Sequence, residues 1–319
     1  MKVGLIGYRN HAEKLKKILI NSKKIKKIKI FVYKKNKNFF YKENEKVEYV
    51  YSINELFDSN SIFISSPTST HKKYIKLFIK KNIFIFCEKP GGKSVSDLKF
   101  LNSINLKKRG YIYINYNLLF SKYLTLIKKM LKKPKLYGKL TYIDIKITNG
   151  ISYKKKFSNN WRFTSKNIFD KITGNVGSHY INLLIHLFKS IKKKQIIDMS
   201  INKKNDTSLI MLKAGQNTLV NLYLSYSNPL SDEFNLYFTN AILKIKNNRI
   251  TIYKPRDCFD KNNNFISPPI KEVGKFNQNN EYLSSLKNSI KFFLMTVEKK
   301  SKLPIKYFNN SKKTLKFFI

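Results

Sequence analysis

Apolar and polar positions follow two textures along this chain, one before about residue 120 and one after it. In the first, short apolar runs that suit buried strands trade places with stretches of helical periodicity. Lys2 to Ile6 reads as a strand stopped by Gly7, and His11 to Ile20 carries Leu15, Ile18 and Leu19 at helical spacing. Further strands are expected at Ile28 to Tyr33, Ser61 to Ser65, Ile83 to Cys87 and Tyr111 to Asn115. Pro67 stops one of these, and Glu88-Lys89-Pro90 stops another. Helices are expected at Thr70 to Lys80 and Ser94 to Ile104, with a short one at Ser52 to Phe57. There Ser52, followed three residues later by Glu55, forms a capping-box pattern. Strand and helix in alternation predict a parallel sheet with crossover helices on both faces. Ligands in such sheets sit beyond the carboxyl ends of the strands. Gly7 to His11, Pro67 to His71, Glu88 to Pro90 and Asn115 to Asn117 are therefore the stretches where chemistry is expected.

The second texture is different. Helices are expected at Leu118 to Leu131 and Val176 to Phe188, and Leu140 to Ile147 alternates like a strand with one buried face. Strands then follow at Ile196 to Ile201, Thr207 to Lys213, Thr218 to Ser225, Glu233 to Thr239, Ala241 to Lys246 and Arg249 to Tyr253. Ala214-Gly215 and Asn247-Asn248 supply turn chemistry between them. Asn279 to Lys299 is expected to close the chain as a helix. The prediction is an α/β domain over residues 1–118 and an α+β domain with a largely antiparallel sheet, helices on one face, over residues 119–319.

Composition changes this picture in one respect. The 319 residues are 42% hydrophobic, enough for a sizeable core, but 64 Lys+Arg against 19 Asp+Glu give a net charge of +45. A basic face can bind nucleic acid by releasing counterions. Only five of the 64 are arginine, however, and the lysines are spread along the whole chain. A lysine-rich compositional bias therefore outranks a specific nucleic-acid site, since arginine's planar fork is the better phosphate and base reader. No apolar run reaches the roughly 18 residues of a membrane span, and the start is not expected to be a signal peptide. Cys87 and Cys258 are far apart, so neither a disulfide framework nor a metal site is expected. The protein is expected in the cytoplasm.

Gly7-Tyr8-Arg9-Asn10-His11-Ala12 stands where a dinucleotide-binding turn belongs, after a first strand and before a helix. Its second and third glycines are replaced by Arg9 and Ala12. Ser65-Ser66-Pro67-Thr68-Ser69-Thr70-His71 and Cys87-Glu88-Lys89-Pro90 follow later strands, and Gly174-Asn175-Val176-Gly177-Ser178-His179-Tyr180-Ile181-Asn182 opens a helix in the second half. In this order the segments, with Asn159-Asn160-Trp161-Arg162 and Ser225-Tyr226-Ser227-Asn228, resemble the Gfo/Idh/MocA oxidoreductase family. Glucose–fructose oxidoreductase and inositol dehydrogenase are members. The resemblance covers nearly the whole chain and implies a Rossmann-type first domain, followed by a second domain that binds substrate and forms subunit contacts.

The function so implied is reversible hydride transfer between NAD(P) and a secondary alcohol of a sugar, cyclitol or nucleotide sugar. Gly7 permits the tight turn, and the helix start offers N–H groups to the pyrophosphate. Tyr8, Arg9, Asn10 and His11 belong to that turn, with His11 on the phosphate side. No acidic residue follows the second strand before Glu43, whereas Lys34 suits a 2′-phosphate, which leans the cofactor toward NADP. Ser66, Pro67, Thr68, His71 and Asn117 are further cofactor contacts, His71 lining the nicotinamide pocket or else capping its helix. By resemblance Lys89 hydrogen-bonds the substrate hydroxyl, and a partly desolvated cleft would lower its pKa. Glu88 orients that turn. His179 is the acid/base partner, with Asn175 on the same helix face. The family's aspartates at two positions are replaced here by Asn175 and Asn182, and asparagine cannot take up a proton at neutral pH. Trp161 and Arg162 are expected to stack on and anchor the substrate. A homodimer or homotetramer is implied. Two rivals stand behind the enzyme: a catalytically impaired relative with a regulatory or scaffold role, motivated by Arg9, Asn175 and Asn182, and a nucleic-acid binder, motivated by charge alone.

Overall fold

β1 (Lys2–Ile6) is buried at every position after the first, as its unbroken apolar run demands. In the computed structural model, which describes residues 1–7, 10–33, 45–157, 160–247, 249–254, 259–275 and 278–319, it leads into α1 (Asn10–Ile20), β2 (Lys27–Phe31), β3 (Val47–Val50) and β4 (Ser61–Ile64). Then come α2 (His71–Lys80), β5 (Phe84–Glu88), α3 (Val95–Ser103), α4 (Leu106–Arg109) and β6 (Ile112–Asn115). All pairings are parallel, in the order β3-β2-β1-β4-β5-β6. That order reverses direction between β1 and β4, the topological switch point at which such sheets bind dinucleotides. β3 was not among the expected strands. It is a short edge strand with three of its four residues only half-buried, so it lacks the apolar run that betrays a central strand. The Ser52–Glu55 capping box is present, over a turn of 3₁₀ helix at Ile53–Leu56.

Two compact units divide the chain: residues 1–116 with 287–317 and 319, and residues 117–286 with 318. The segment 287–317, expected in a second domain spanning 119–319, thus groups with the first unit. Aromatic packing accounts for this. Phe63 and Phe86 stack at 4.6 Å, and Phe293 meets each ring at 5.4 Å.

The second unit contains α5 (Lys122–Leu131), α6 (Pro134–Tyr137), β7 (Leu140–Thr148), α7 (Trp161–Thr164), α8 (Ile172–Asn175) and α9 (Gly177–Phe188). It continues through β8 (Ile191–Met199), β9 (Thr207–Ala214), β10 (Thr218–Ser225), β11 (Ser231–Phe238), β12 (Ala241–Lys246), β13 (Arg249–Tyr253) and β14 (Ile270–Lys275). Their order is β14-β13-β12-β11-β7-β10-β9-β8, antiparallel except for the β7–β10 pair. β9 to β12 alternate buried with less buried positions, as a sheet with one covered face requires.

The strand expected at Ile196 to Ile201 begins earlier, because the exposed Lys192 and Lys193 pair with β9 through their backbone, with an irregularity at Lys194. The unexpected β14 likewise extends the sheet through pairing with β13. The expected last helix is α10 (Gln278–Glu298), within which the boundary between the units falls. It does not close the chain: α11 (Ile305–Phe318) follows, with Phe308, Leu315 and Phe318 buried among interspersed lysines. Among the described residues no helix is long and apolar enough to cross a membrane.

Candidate active site

Three turns at the carboxyl ends of β1, β4 and β5 gather in the first unit. Gly7 leaves β1 with φ +115°, a conformation that a side chain strains. A Cβ there would stand 2.7 Å from the Ser65 carbonyl oxygen, so the backbones after β1 and β4 touch where only glycine fits. Ser65 N–H donates to the Ile6 carbonyl at 2.8 Å, extending the strand pairing into the turn. α1 starts at the exposed Asn10 and presents its N-terminal N–H groups at this turn. A glycine turn leading to a helix N-terminus suits a pyrophosphate. Tyr8, Arg9 and Lys34, expected at the cofactor, lie outside the described residues.

After β4, Ser66 Oγ and Thr70 Oγ1 are 2.6 Å apart, and Thr70 also donates to the Pro67 carbonyl. Pro67 is exposed and Thr68 half-buried at the head of the 3₁₀ turn that leads to α2. His71 is buried, with Nδ1 2.9 Å from the Pro90 carbonyl and Nε2 2.9 Å from the Ser66 carbonyl. It therefore ties the turn after β4 to the turn after β5. Burial holds its pKa below the usual 6.5 against those two carbonyls. A neutral ring donates to one of them; only an imidazolium could donate to both.

Glu88 ends β5, Lys89 follows half-buried, and the Lys89–Pro90 peptide is cis. Gly92 then passes so close to the first turn of α3 that a Cβ would meet Asp97 Cβ at 2.4 Å. Asp97 accepts from Lys93 N–H, and Ser94 caps the helix by accepting from Asp97 N–H. The Lys89 turn is thus pinned on its far side. On its near side Glu88 Oε1 lies 2.9 Å from His11 Nε2 and accepts from Asn115 Nδ2 at 2.9 Å. Burial works to raise the Glu88 pKa, but the charge and hydrogen bond of His11, with Asn115 and Lys89, carry it below its usual value. Burial likewise opposes the His11 charge, and Glu88 outweighs it, so the His11 pKa stands above 6.5. A polar chain continues from Asn115 Oδ1 to Ser289 Oγ at 2.7 Å and on to Tyr113 OH at 3.0 Å.

In the second unit two of the expected substrate residues, Asn175 and Arg162, meet a side chain to which sequence reasoning assigned no role. Tyr226 is buried, and its OH accepts from Asn175 Nδ2 at 3.0 Å. Burial pushes the phenol pKa up, against the charge of Arg162 and the hydrogen bonds of Asn175 and Arg162. The signal was present, because Tyr226 lies in the Ser225 to Asn228 segment that carried the resemblance. Asn160 caps α7 and accepts from both the Arg162 backbone N–H and Nη1 at 3.1 Å. The guanidinium carbon sits 4.5 Å from the centre of the Trp161 ring, which is 49% exposed. Asn175 ends α8 and His179, half-buried, stands in the first turn of α9, with Val176 in helical conformation joining the two. Asn182 is buried on the same helix. Asn117 is engaged elsewhere, donating to Ser285 Oγ at 2.8 Å. His186 receives a hydrogen bond from Lys128 Nζ. Among the described residues no cluster of His, Cys, Asp or Glu is placed to hold a metal ion. Cys87 is a buried free thiol, and Cys258 lies outside the described residues.

The geometry agrees with comparisons to known proteins. Residues 1–116 match the family model described as an oxidoreductase family with an NAD-binding Rossmann fold, GFO_IDH_MocA. Comparison with curated protein sequences finds no match. Among solved structures the chain is similar to a myo-inositol dehydrogenase from Corynebacterium glutamicum (TM-score 0.73, 16% identity, 99% of this chain and 93% of that one). It is also similar to a myo-inositol 2-dehydrogenase from Lactobacillus plantarum (0.76, 17%, 99% and 94%). A third is a 3-ketoreductase from Actinomadura kijaniata solved with NADP and TDP-benzene (0.77, 14%, 99% and 94%). These likenesses extend the shared fold over both units. Residues 1–116, with Gly7 at the switch point of the parallel sheet, match the Gfo/Idh/MocA oxidoreductase family model as its NAD-binding Rossmann domain.

Proposed function

We propose that the protein is an NAD(P)-dependent oxidoreductase that interconverts a secondary alcohol and a ketone on a sugar, cyclitol or nucleotide sugar. The observation that carries this reading is the contact of His11 with Glu88, which brings the dinucleotide turn against the turn bearing Lys89. When bound, the nicotinamide supplies the hydride chemistry. The Gly7 turn and the start of α1 hold the pyrophosphate, with the Ser66-Pro67-Thr68 turn beside them. Lys89 Nζ takes the hydroxyl proton as the alcohol is oxidised and returns it in the reverse direction. His179 is assigned the partner role in that proton movement, and Asn175 holds a substrate hydroxyl through its amide. Trp161 and Arg162 form a stacked platform suited to a sugar face and an anionic substituent. The lean toward NADP rests on the lysines that follow β2.

Titrating NADH and NADPH separately by fluorescence at physiological salt tests the reading. Saturable binding of either supports it, and a sugar panel with Lys89→Ala as control then identifies turnover. No binding of either overturns it. The second reading, a dinucleotide-binding relative without turnover, is favoured by Asn175 and Asn182 standing where the family carries aspartates. Binding with no turnover at any pH across the panel would select it. We further propose a cytoplasmic homodimer or homotetramer assembled through the open face of the second sheet; a monomer in sedimentation at micromolar concentration argues against the assembly.

A further inference from the structure

The turn that carries Lys89 is held from both flanks by histidines. His71 binds the Pro90 carbonyl, but its ring is 1% exposed and spans two backbone carbonyls. His11 is different: its side chain is 35% exposed, within reach of solvent protons, and its partner Glu88 is only 12% exposed. The two belong to different elements, His11 to the first turn of α1 and Glu88 to the last position of β5, with β4 lying between β1 and β5 in the sheet. Backbone pairing alone therefore does not bring α1 to the Lys89 turn, whereas this side-chain pair does.

We infer that the His11–Glu88 ion pair is a brace that positions Lys89 against the dinucleotide turn and slackens when His11 loses its charge. Glu88 is the residue next to Lys89, so what fixes its carboxylate fixes the start of the lysine turn. Asn115 contributes a neutral amide donor to the same carboxylate oxygen, independent of pH in this range. Among the described residues the charged groups facing His11 are Lys14 on its own helix and Glu88 and Lys89 from the β5 turn. Both lysines favour the neutral ring, and Glu88 favours the charged one strongly enough to prevail. The brace is thus present from the lowered Glu88 pKa up to the raised His11 pKa. Above that window the imidazole is neutral and its ionic attraction to Glu88 is gone, and below it protonation of the carboxylate removes the same attraction. His11 and Glu88 act through Lys89 and are positioning residues.

The role given to Lys89 rests on the proposed function, whereas the brace is read on the ligand-free protein, so either can fail without the other. Selectively labelled histidine allows the His11 imidazole to be titrated by NMR, with His11→Gln identifying its resonance. Amide exchange of a peptide covering residues 84–95, corrected for its intrinsic rise with pH, reports the turn. In the wild-type protein exchange should speed up by roughly fivefold as pH passes the His11 midpoint, the expected effect of losing the charge of one partly exposed ion pair. The two midpoints should coincide. Glu88→Gln should lower the His11 midpoint, and His11→Gln should leave the peptide fast and flat with pH. An exchange profile indifferent to the His11 titration, or a His11 midpoint unchanged in Glu88→Gln, overturns the brace. The wild-type comparison stands even if a variant does not fold.

Discussion

Asn115 and Glu88 face each other across the β5–β6 pairing, and the Asn115 amide donates to the Glu88 carboxylate at 2.9 Å. A buried carboxylate at a strand end is stable only with donors around it. Asn115→Asp replaces a donor with a second negative charge beside Glu88. The protein should lose stability increasingly as pH rises above the carboxylate range, and Asn115→Ala should cost about 1–3 kcal/mol. Urea unfolding of both variants between pH 5 and 8 checks this; equal losses at both ends would show that Glu88 does not sense the change.

Gly7→Ala adds a methyl group against the Ser65 backbone at φ +115°. Neither chain can yield there without breaking the Ser65–Ile6 hydrogen bond. The expected result is a loss of about 1–3 kcal/mol together with loss of dinucleotide binding. Thermal unfolding and NADPH fluorescence measure the two, and unchanged binding would put the phosphate elsewhere.

Lys89→Ala removes the proposed proton carrier at a half-buried site while leaving the Gly7 turn intact. Turnover should fall by about 10²–10⁴-fold, and dinucleotide affinity should change little. Steady-state rates beside direct cofactor titration separate the two effects; a matching loss in both would make Lys89 a binding residue only.

Tyr226→Phe deletes the hydroxyl shared by Asn175 and Arg162. A stability loss of about 1 kcal/mol is expected, with a higher KM for the sugar and unchanged cofactor affinity. If KM is unaffected, the hydroxyl serves packing and not substrate alignment.

His11 and His71 should move stability with pH in opposite directions. The folded His11 pKa is raised above 6.5, so its contribution is full below 6.5 and fades as pH rises through the folded value. The folded His71 pKa is lowered, so its burial carries no penalty above 6.5 and an increasing one as pH falls toward the folded value. Relative to wild type, His71→Gln should flatten the loss of stability on acidification, and His11→Gln should flatten the loss on alkalinisation. Denaturant midpoints from pH 5 to 8.5 decide this, and parallel curves for both variants would contradict it.

The sheet of the first unit could be read from the chain because β1, β4 and β5 are nearly continuous apolar runs ended by Gly7, Pro67 or the Glu88 turn. Burial on both faces leaves that mark in Lys2 to Ile6 and in Ile83 to Cys87 as directly as in the folded structure. The Gly7 turn after β1 was likewise legible, since a glycine between a strand and a helix is a property of sequence, whereas the roles proposed for Lys89, His179, Trp161 and Arg162 rest on the resemblance. β3, β14 and α11 were not legible, because their burial or pairing depends on neighbours distant in the chain, and charged residues interrupt their apolar signal.

Which side chains meet was decided by tertiary structure alone. Nothing in the order of residues joins His11 to Glu88 or Asn175 to Tyr226, which lie 77 and 51 positions apart. The segment 287–317 returns to the first unit for the same reason: Phe293 finds Phe63 and Phe86 only once the parallel sheet exists. Periodicity records how each element is buried, and hydrogen bonds between elements form only after the sheet has set their distance.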